Sequence, residues 1–300
     1  MIKKNPPSLA TVLTISGSDS SAGAGLQADL KTIHALGGYA LTVATAITAQ
    51  NSQGVSIVYP LPADIVEKQL QAIVSDYDIQ AIKIGMLGDI EILKVVIHFL
   101  QQIRHPNVIL DPVLTSSSGH ALLNSVALPT FIKELLPQAS LVTPNTFEVN
   151  TLLNKNNDAL FMGCKEDIPH IAQELIALNI KAAVIKGGHS IDPLATDYLI
   201  QRSLNPKNIM DIQAYSTQRI KSTNTHGTGC TYASAVATIL AQGKPLSEAV
   251  QQAKEYLFST LCHANEAQPC YLANAFNTTK HRKGNLNHFP PSGKPLGSTP

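Results

Sequence analysis

The peptide Thr223-Asn224-Thr225-His226-Gly227-Thr228-Gly229-Cys230-Thr231 sets two glycines around a threonine, directly before a helix-forming run at 232–241. A glycine turn that opens a helix leaves several backbone N–H groups unpaired and converging, and the helix dipole adds partial positive charge. Such a turn is a candidate anion site, with phosphate the first ligand to consider; an ordinary loop whose glycines serve left-handed backbone is the competing reading. Asp111 and Glu148 are hard oxygen groups able to hold Mg²⁺ directly or through its waters, and Lys186 could offset phosphate charge. Otherwise, Asp111 is a turn cap before proline and Lys186 a solvated lysine at a strand end. Together with Gly227, Thr228 and Gly229 as backbone donors, these groups suit phosphoryl transfer, which depends on positioning and charge neutralisation. An attacking hydroxyl benefits from a nearby base. Cys230 is placed for that task, since a helix start can lower a thiol below its usual value of ~8.5. The alternative is a small cysteine that only packs.

The elements that must position these groups alternate along the chain. Strand-like apolar runs fall at 10–16, 39–48, 81–84, 107–110, 141–142, 181–185, 197–201, 209–215 and 220–221. Helical spacing is expected over 26–36, 62–76, 89–102, 125–136, 147–153, 167–178, 230–242 and 245–263. Alternating strands and helices predict one parallel α/β sheet covered on both faces. Ligands of such sheets bind beyond the carboxyl ends of the strands. Ser16-Gly17, Gln50, Gly85-Met86, Asp111, Asn145 with Glu148, and Lys186 each follow an apolar run, so the polar signals gather at one edge. No internal repeat or linker divides the chain. A single domain over 1–275 is expected, with 276–300 a partly mobile C-terminal segment.

Several other classes are disfavoured. Gly23-Ala24-Gly25-Leu26-Gln27-Ala28 imitates a dinucleotide fingerprint, but no acidic residue occurs between Asp29 and Asp64 to meet a ribose. Asp29 itself is either a carboxylate favoured by a helix start or one pointing into a site. No GxxxxGK[ST] motif and no protein-kinase signature is present. The 300 residues are 44% hydrophobic and 14% charged, a globular balance, and the formal net charge of +1 gives no argument for nucleic acid or an anionic membrane. No apolar run reaches the roughly 20 residues of a spanning helix, and no signal peptide is apparent, so a cytoplasmic protein is expected. The four cysteines, Cys164, Cys230, Cys262 and Cys270, and the ten scattered histidines suggest neither a disulfide framework nor a zinc site.

The motifs, taken in order, resemble the ribokinase-type kinases. Thr225-His226-Gly227-Thr228-Gly229-Cys230-Thr231 is similar to their anion-hole motif, and its cysteine resembles the branch that phosphorylates hydroxymethylpyrimidine in thiamin biosynthesis. Many sugar kinases of the wider family carry an aspartate base at that position. Ser16-Gly17-Ser18-Asp19-Ser20-Ser21, Gln27-Ala28-Asp29-Leu30-Lys31-Thr32, Thr48-Ala49-Gln50-Asn51, Lys83-Ile84-Gly85-Met86-Leu87, Asp111-Pro112-Val113, Thr143-Pro144-Asn145 with Glu148, and Lys186-Gly187-Gly188-His189 extend the resemblance over about 10–265, with an echo in Leu286-Asn287-His288-Phe289.

The resemblance implies a three-layer αβα sandwich with a mostly parallel central sheet and a small β lid. It implies ATP as co-substrate with Mg²⁺, a small pyrimidine alcohol as acceptor, and a homodimer. Gly17, Asp29, Gln50, Met86 and Val113 match the pyrimidine pocket. Lys186, Asn145, Glu148 and Thr225 match the nucleotide side, Asp111 and Glu148 the metal, and Gly227, Thr228, Gly229 and Cys230 the catalytic turn. Ala22 departs from a usual glycine and Leu114 from a frequent methionine, and Thr115-Ser116-Ser117-Ser118 is more polar than usual. A second phosphorylation, of the monophosphate, is also implied. Two alternatives accompany this reading: a vitamin B6 kinase, and a pyrimidine-binding regulator without catalysis.

Overall fold

Side chains along each central strand alternate between two different cores, which is why the strands read as nearly unbroken apolar runs. The computed structural model describes residues 9–51, 54–115, 122–156, 159–188, 193–203, 210–222, 224–264 and 285–290. In chain order its elements are β1 (Ala10–Asp19), α1 (Gly25–Ala35), β2 (Gly38–Asn51), β3 (Gly54–Pro60), α2 (Ala63–Val74), β4 (Ala81–Ile84), α3 (Ile90–Ile103), β5 (Val108–Leu110), α4 (Leu128–Thr130), β6 (Leu141–Val142), α5 (Thr146–Leu152), α6 (Ile168–Ala177), β7 (Ala182–Ile185), β8 (Leu194–Arg202), β9 (Met210–Gln218), α7 (Thr228–Ala241) and α8 (Leu246–Cys262). Among the described residues, nine strands form one sheet in the order β3-β2-β1-β4-β5-β6-β7-β8-β9. The run from β2 to β7 is parallel, while β3, β8 and β9 join antiparallel.

Leu13, Ile15, Ile82, Ile84, Leu110 and Ile185 face one core, covered by α2, α3, α5 and α6. Val12, Ala81, Ile109, Leu141 and Val184 face the other, covered by α1, α7 and α8. This is the three-layer sandwich expected from the sequence. β2 continues past the last residue of β1 and pairs with β3 as an antiparallel ribbon, the small β lid. The same carboxyl edge carries the ends of β1, β4, β5, β6 and β7, together with the amino end of α7.

Some boundaries differ from the expectation. The edge strand β3 gives little sequence signal because Ile57 and Tyr59 are exposed rather than buried. The helix expected over 125–136 starts only at Leu128, then widens to a π turn over Phe131–Leu135 and tightens to a 3₁₀ turn over Leu136–Gln138. Pro137 lacks the N–H that a continuing α ladder would need. Ile220 and Lys221 stand outside the sheet. Of the C-terminal segment, residues 285–290 pack back on the domain: Leu286 and His288 are buried, and the His288 carbonyl accepts a hydrogen bond from Tyr256 at 2.7 Å. The remainder of 276–300 lies outside the described residues, as do Ser116, Ser117, Ser118, His189, Thr223 and Cys270.

Ala22 sits in left-handed backbone at φ 59°. A non-glycine residue there is strained by roughly 1 kcal/mol or somewhat more. Ala22→Gly is therefore expected to raise the unfolding free energy by up to about 1 kcal/mol in urea titration, the relief of strain being partly offset by glycine's greater unfolded entropy. An unchanged or lowered value would show that the loop tolerates this φ without strain.

Candidate active site

The loop after β1 closes on a carboxylate of its own. Asp19, at the end of the strand, accepts hydrogen bonds from the backbone N–H groups of Ser21, Gly23 and Ala24 at 2.8–3.1 Å and from the Ser21 hydroxyl at 2.8 Å. The protein's own carboxylate thus takes up backbone N–H groups of the Gly-rich loop that would otherwise be open to an anion. Burial raises the Asp19 carboxyl, but His226 and the loop donors outweigh it and leave it below the usual range.

At α7 the amino end remains open. Gly227 is the N-cap at φ 80°, and a Cβ there would fall 1.8 Å from the Gly23 carbonyl oxygen, so both backbone conformation and close approach demand glycine. The first full-turn bond runs from Thr231 N to Gly227 O at 2.9 Å, leaving the Gly229 and Cys230 N–H groups without an intrahelical acceptor. A Cβ on Gly229 would stand 3.3 Å from Asp111 Oδ2 and 3.3 Å from Lys186 Nζ. The helix start, a carboxylate and an ammonium thus converge on one small space.

β5, β6 and β7 deliver the charged groups. Asp111 Oδ1 accepts from Lys186 Nζ at 2.9 Å and from the Thr143 hydroxyl at 3.2 Å. Glu148 Oε2 lies 3.8 Å from Lys186 Nζ. Asn145 and Glu148 also form a capping box for α5: Asn145 Oδ1 accepts from Glu148 N at 2.9 Å, and Glu148 Oε2 from Asn145 N at 2.7 Å. Burial pushes the Glu148 carboxyl up to about 7, with Asp111 adding to the effect and Lys186 and the Asn145 N–H opposing it. Burial pulls the Lys186 ammonium down, but Asp111 and Glu148 outweigh it and hold it above its ordinary value. Gly187 N donates to Asp197 at 2.9 Å, and Asp197 is paired with Lys254 of α8 at 2.9 Å, which fixes the turn after Lys186.

One cleft of about 610 Å³ gathers most of the expected site: Gln50, Asp111, Val113, Asn145, Glu148, Lys186, Thr225, Gly227, Thr228, Gly229 and Cys230 all line it. Gly17, Met86 and Asp29 do not. Met86 forms a small apolar cluster with Ala46 and Leu122, against which Val113 packs, and a Cβ on Gly17 would lie 3.1 Å from the Met86 sulfur. Gly17 and Met86 therefore back the apolar wall that Val113 and Leu122 present. The register shifts twice near the cleft: β2 carries one extra residue between Ala44 and Ile47 opposite Ser16–Ser18, and β3 carries one, Ser56, opposite Ala49 and Gln50, so Gly17 and Gln50 each face an irregularity in the neighbouring strand.

Asp29 stands outside the cleft lining. It is fully buried and paired with Lys83 at 2.8 Å, and it also accepts from the hydroxyls of Thr14 at 2.6 Å and Ser234 at 2.8 Å. Thr14 and Lys83 are register partners on β1 and β4, and α1 and α7 close over them. Both carboxylate oxygens are engaged, and Asp29 is the counter-ion of a lysine in the sheet. Asp29→Asn would leave the Lys83 charge buried without its partner. We expect a loss of about 3–5 kcal/mol of unfolding free energy in urea. A loss below 1 kcal/mol would contradict the counter-ion role.

The thiol expectation also changes. Burial pushes Cys230 up to about 11, Asp29 and Asp111 adding to it, while Lys83 and the Gly25 N–H pull the other way. The helix start alone does not make a thiolate here. Burial likewise pulls Lys83 down, but the Asp29 carboxylate beside it, with Asp111 adding, outweighs it. Sequence reasoning missed His226, Phe147 and Lys83. His226 and Phe147 line the cleft. Lys83 carried a readable signal, because a lysine inside the apolar run Ala-Ile-Lys-Ile of a central strand calls for a buried counter-ion.

The doubly covered sheet, with a cleft at its carboxyl edge, is that of a ribokinase-like kinase fold, and the enzyme is a phosphotransferase. The chain belongs to the phosphomethylpyrimidine kinase family, whose model matches residues 19–271. It is 40% identical over 277 residues to the hydroxymethylpyrimidine/phosphomethylpyrimidine kinase of Escherichia coli strain K12, covering 92% of this chain and 96% of that one. It is 38% identical to the thiamine biosynthesis bifunctional protein of Geobacter sulfurreducens, covering 86% of this chain and 50% of that one. The crystal structure of an ADP complex of Bacillus subtilis pyridoxal kinase superposes with a TM-score of 0.79 at 28% identity, covering 94% of this chain and 98% of that one. No helix among the described residues is long and apolar enough to cross a membrane.

Proposed function

We propose that this protein transfers the γ-phosphoryl group of ATP to the hydroxymethyl oxygen of 4-amino-5-hydroxymethyl-2-methylpyrimidine, and then phosphorylates that product to the diphosphate, in thiamin biosynthesis. The observation that carries the reading is the space at Gly229, where a Cβ would stand 3.3 Å from both Asp111 Oδ2 and Lys186 Nζ, at the helix start whose N–H groups are open. That is a site for a phosphoryl group in transfer.

In this reading the Gly227, Thr228 and Gly229 turn receives the transferred phosphoryl, and its preset donors strengthen as charge develops on the equatorial oxygens. Lys186 neutralises the phosphate chain, and Thr225 and Asn145 border the nucleotide. The acceptor oxygen attacks phosphorus, the bond to the β-phosphate oxygen breaks, and ADP leaves. Cys230, in its thiolate form, takes the hydroxyl proton, and the buried Lys83 ammonium favours that form. Gln50 meets the polar edge of the pyrimidine, and Val113, backed by Met86 and Gly17, packs on its ring.

The carboxylates fit Mg²⁺. Among the described residues no group of three or more metal-binding side chains exists, and Mg²⁺ is typically held by one or two carboxylates with waters and substrate phosphates. The two hydrogen bonds to Asp111 both go to Oδ1 among the described residues, while Oδ2 faces the Gly229 space, and Glu148 lies on the other side of Lys186 Nζ at 3.8 Å. When bound, the ion would bridge and neutralise phosphate oxygens.

A second reading, a pyridoxal kinase, draws on the likeness to the Bacillus subtilis enzyme. Steady-state kinetics with both acceptors separates the two. The pyrimidine should give the higher kcat/KM. A clear preference for pyridoxal would overturn the substrate assignment, and tight pyrimidine binding without turnover would indicate a regulator.

A further inference from the structure

Three side chains meet where the loop before α7 crosses the end of β2. His226 Nε2 lies 2.9 Å from Asp19 Oδ2 and 3.2 Å from one terminal atom of the Gln50 amide. The other terminal atom of that amide lies 3.1 Å from Thr48 Oγ1, which is itself 2.9 Å from the Ser18 carbonyl oxygen. Proton counting fixes the network. The Asp19 carboxylate, already taking four hydrogen bonds from its loop, only accepts, so His226 Nε2 carries a proton whether the ring is neutral or charged. That one proton is shared between Asp19 Oδ2 and Gln50 in a three-centre contact, which an amide NH₂ could not join, so the Gln50 atom toward it is the oxygen.

The far end accommodates this orientation without imposing it. The Thr48 hydroxyl can give its proton to the Ser18 carbonyl and accept from Gln50, or turn to donate to Gln50, so it follows the amide rather than setting it. Placing Gln50 Oε1 toward His226 and Nε2 toward Thr48 satisfies both ends, and amide oxygen and nitrogen are interchangeable in position except through such contacts. Thr48 takes one N–H of Gln50. The second has no acceptor among the described residues, and Gln50 lines the cleft. The surroundings are held in place. The Gln50 backbone is clamped by Ser20, whose Oγ accepts from Gln50 N at 3.0 Å and donates to Gln50 O at 2.8 Å. A Cβ at Gly23 would fall 2.5 Å from His226 Cδ2, so the imidazole packs directly on that glycine.

We propose that His226, anchored by Asp19, is a positioning residue that fixes the Gln50 amide as a hydrogen-bond donor to the cleft, so that the site selects a heteroaromatic acceptor with an unprotonated ring nitrogen at that place. The inference rests on the pyrimidine reading for its substrate and on the network for its mechanism. Without the His226 donor the amide turns freely and offers oxygen or nitrogen alike. Discrimination then falls, because a site built to donate leaves its group unpaired on the wrong ring.

The test compares hydroxymethylpyrimidine with its deaza analogue, in which the ring nitrogen beside the amino-bearing carbon is replaced by C–H. Wild-type protein should favour the pyrimidine by about 10- to 100-fold in kcat/KM, the range set by one buried hydrogen bond. His226→Ala should reduce that ratio to within a few-fold of unity, and His226→Gln, whose amide N–H reaches a similar place, should restore most of it. A His226 that merely latches the loop would lower both substrates together, and a preserved ratio in His226→Ala would overturn the proposal. ¹⁵N NMR of histidine-labelled wild-type protein supplies the second readout: a protonated Nε2 in His226 is expected, and an unprotonated one overturns the proposal. That measurement needs no turnover. Failure of the pyrimidine as a substrate would sink the functional reading while this readout still judged the network.

Discussion

Cys230→Ala is expected to lower kcat for the pyrimidine by about 10²-fold or more, the usual size of a general-base effect, with little change in KM. The sulfur sits at the first turn of α7, directly after the glycines, where an acceptor hydroxyl would meet the phosphoryl group. Because burial pushes the thiol up to about 11, the reactive thiolate is scarce at neutral pH in the free enzyme. The sign follows directly. If the thiolate is the base, kcat/KM rises as pH increases from 7 toward that value, and the rise disappears in Cys230→Ala. Initial rates from pH 6.5 to 10 with both proteins check this. Near-normal turnover in the variant would mean that Cys230 only packs.

Gly227→Ala is expected to have a still larger effect. The added methyl would fall 1.8 Å from a carbonyl oxygen, in backbone at φ 80°, so the turn has to move. Displacing a preset oxyanion donor typically costs 10²–10³ in kcat, and left-handed strain adds about 1–3 kcal/mol of instability. We therefore expect kcat to fall at least 10²-fold and the thermal midpoint to drop. Full activity in a stably folded variant would show that the turn's backbone does not contact the transferred group.

Much of the architecture was legible because two-sided burial forces central strands into short apolar runs and because strand ends in an open sheet must be polar. Gln50, Asp111, Asn145, Glu148 and Lys186 could therefore be placed at one edge before any coordinates. What escaped depends on pairing across sequence distance. Asp29 sits at the opening turn of a helix, and only Lys83, 54 residues on and inside a buried strand, reveals its role as a counter-ion. The helix-start argument for Cys230 was local, whereas its thiol responds chiefly to desolvation by its surroundings. Asn145-x-x-Glu148 carried a capping-box signature as well as a chemical one, and the structure shows the box without excluding the other use. His226 gave no signal of its own, since its meaning lies in Asp19 and Gln50, 207 and 176 residues away.

The central claim is that ATP and the pyrimidine meet at the amino end of α7. A crystal structure with hydroxymethylpyrimidine, Mg²⁺ and a non-hydrolysable ATP analogue tests it most directly. The account predicts the γ-phosphate against the Gly227, Thr228 and Gly229 backbone, the hydroxymethyl oxygen between that phosphate and the Cys230 sulfur, and the ring beside Gln50 and Val113. A pyrimidine bound elsewhere, or a hydroxymethyl group turned away from the turn while the nucleotide occupies it, would contradict it.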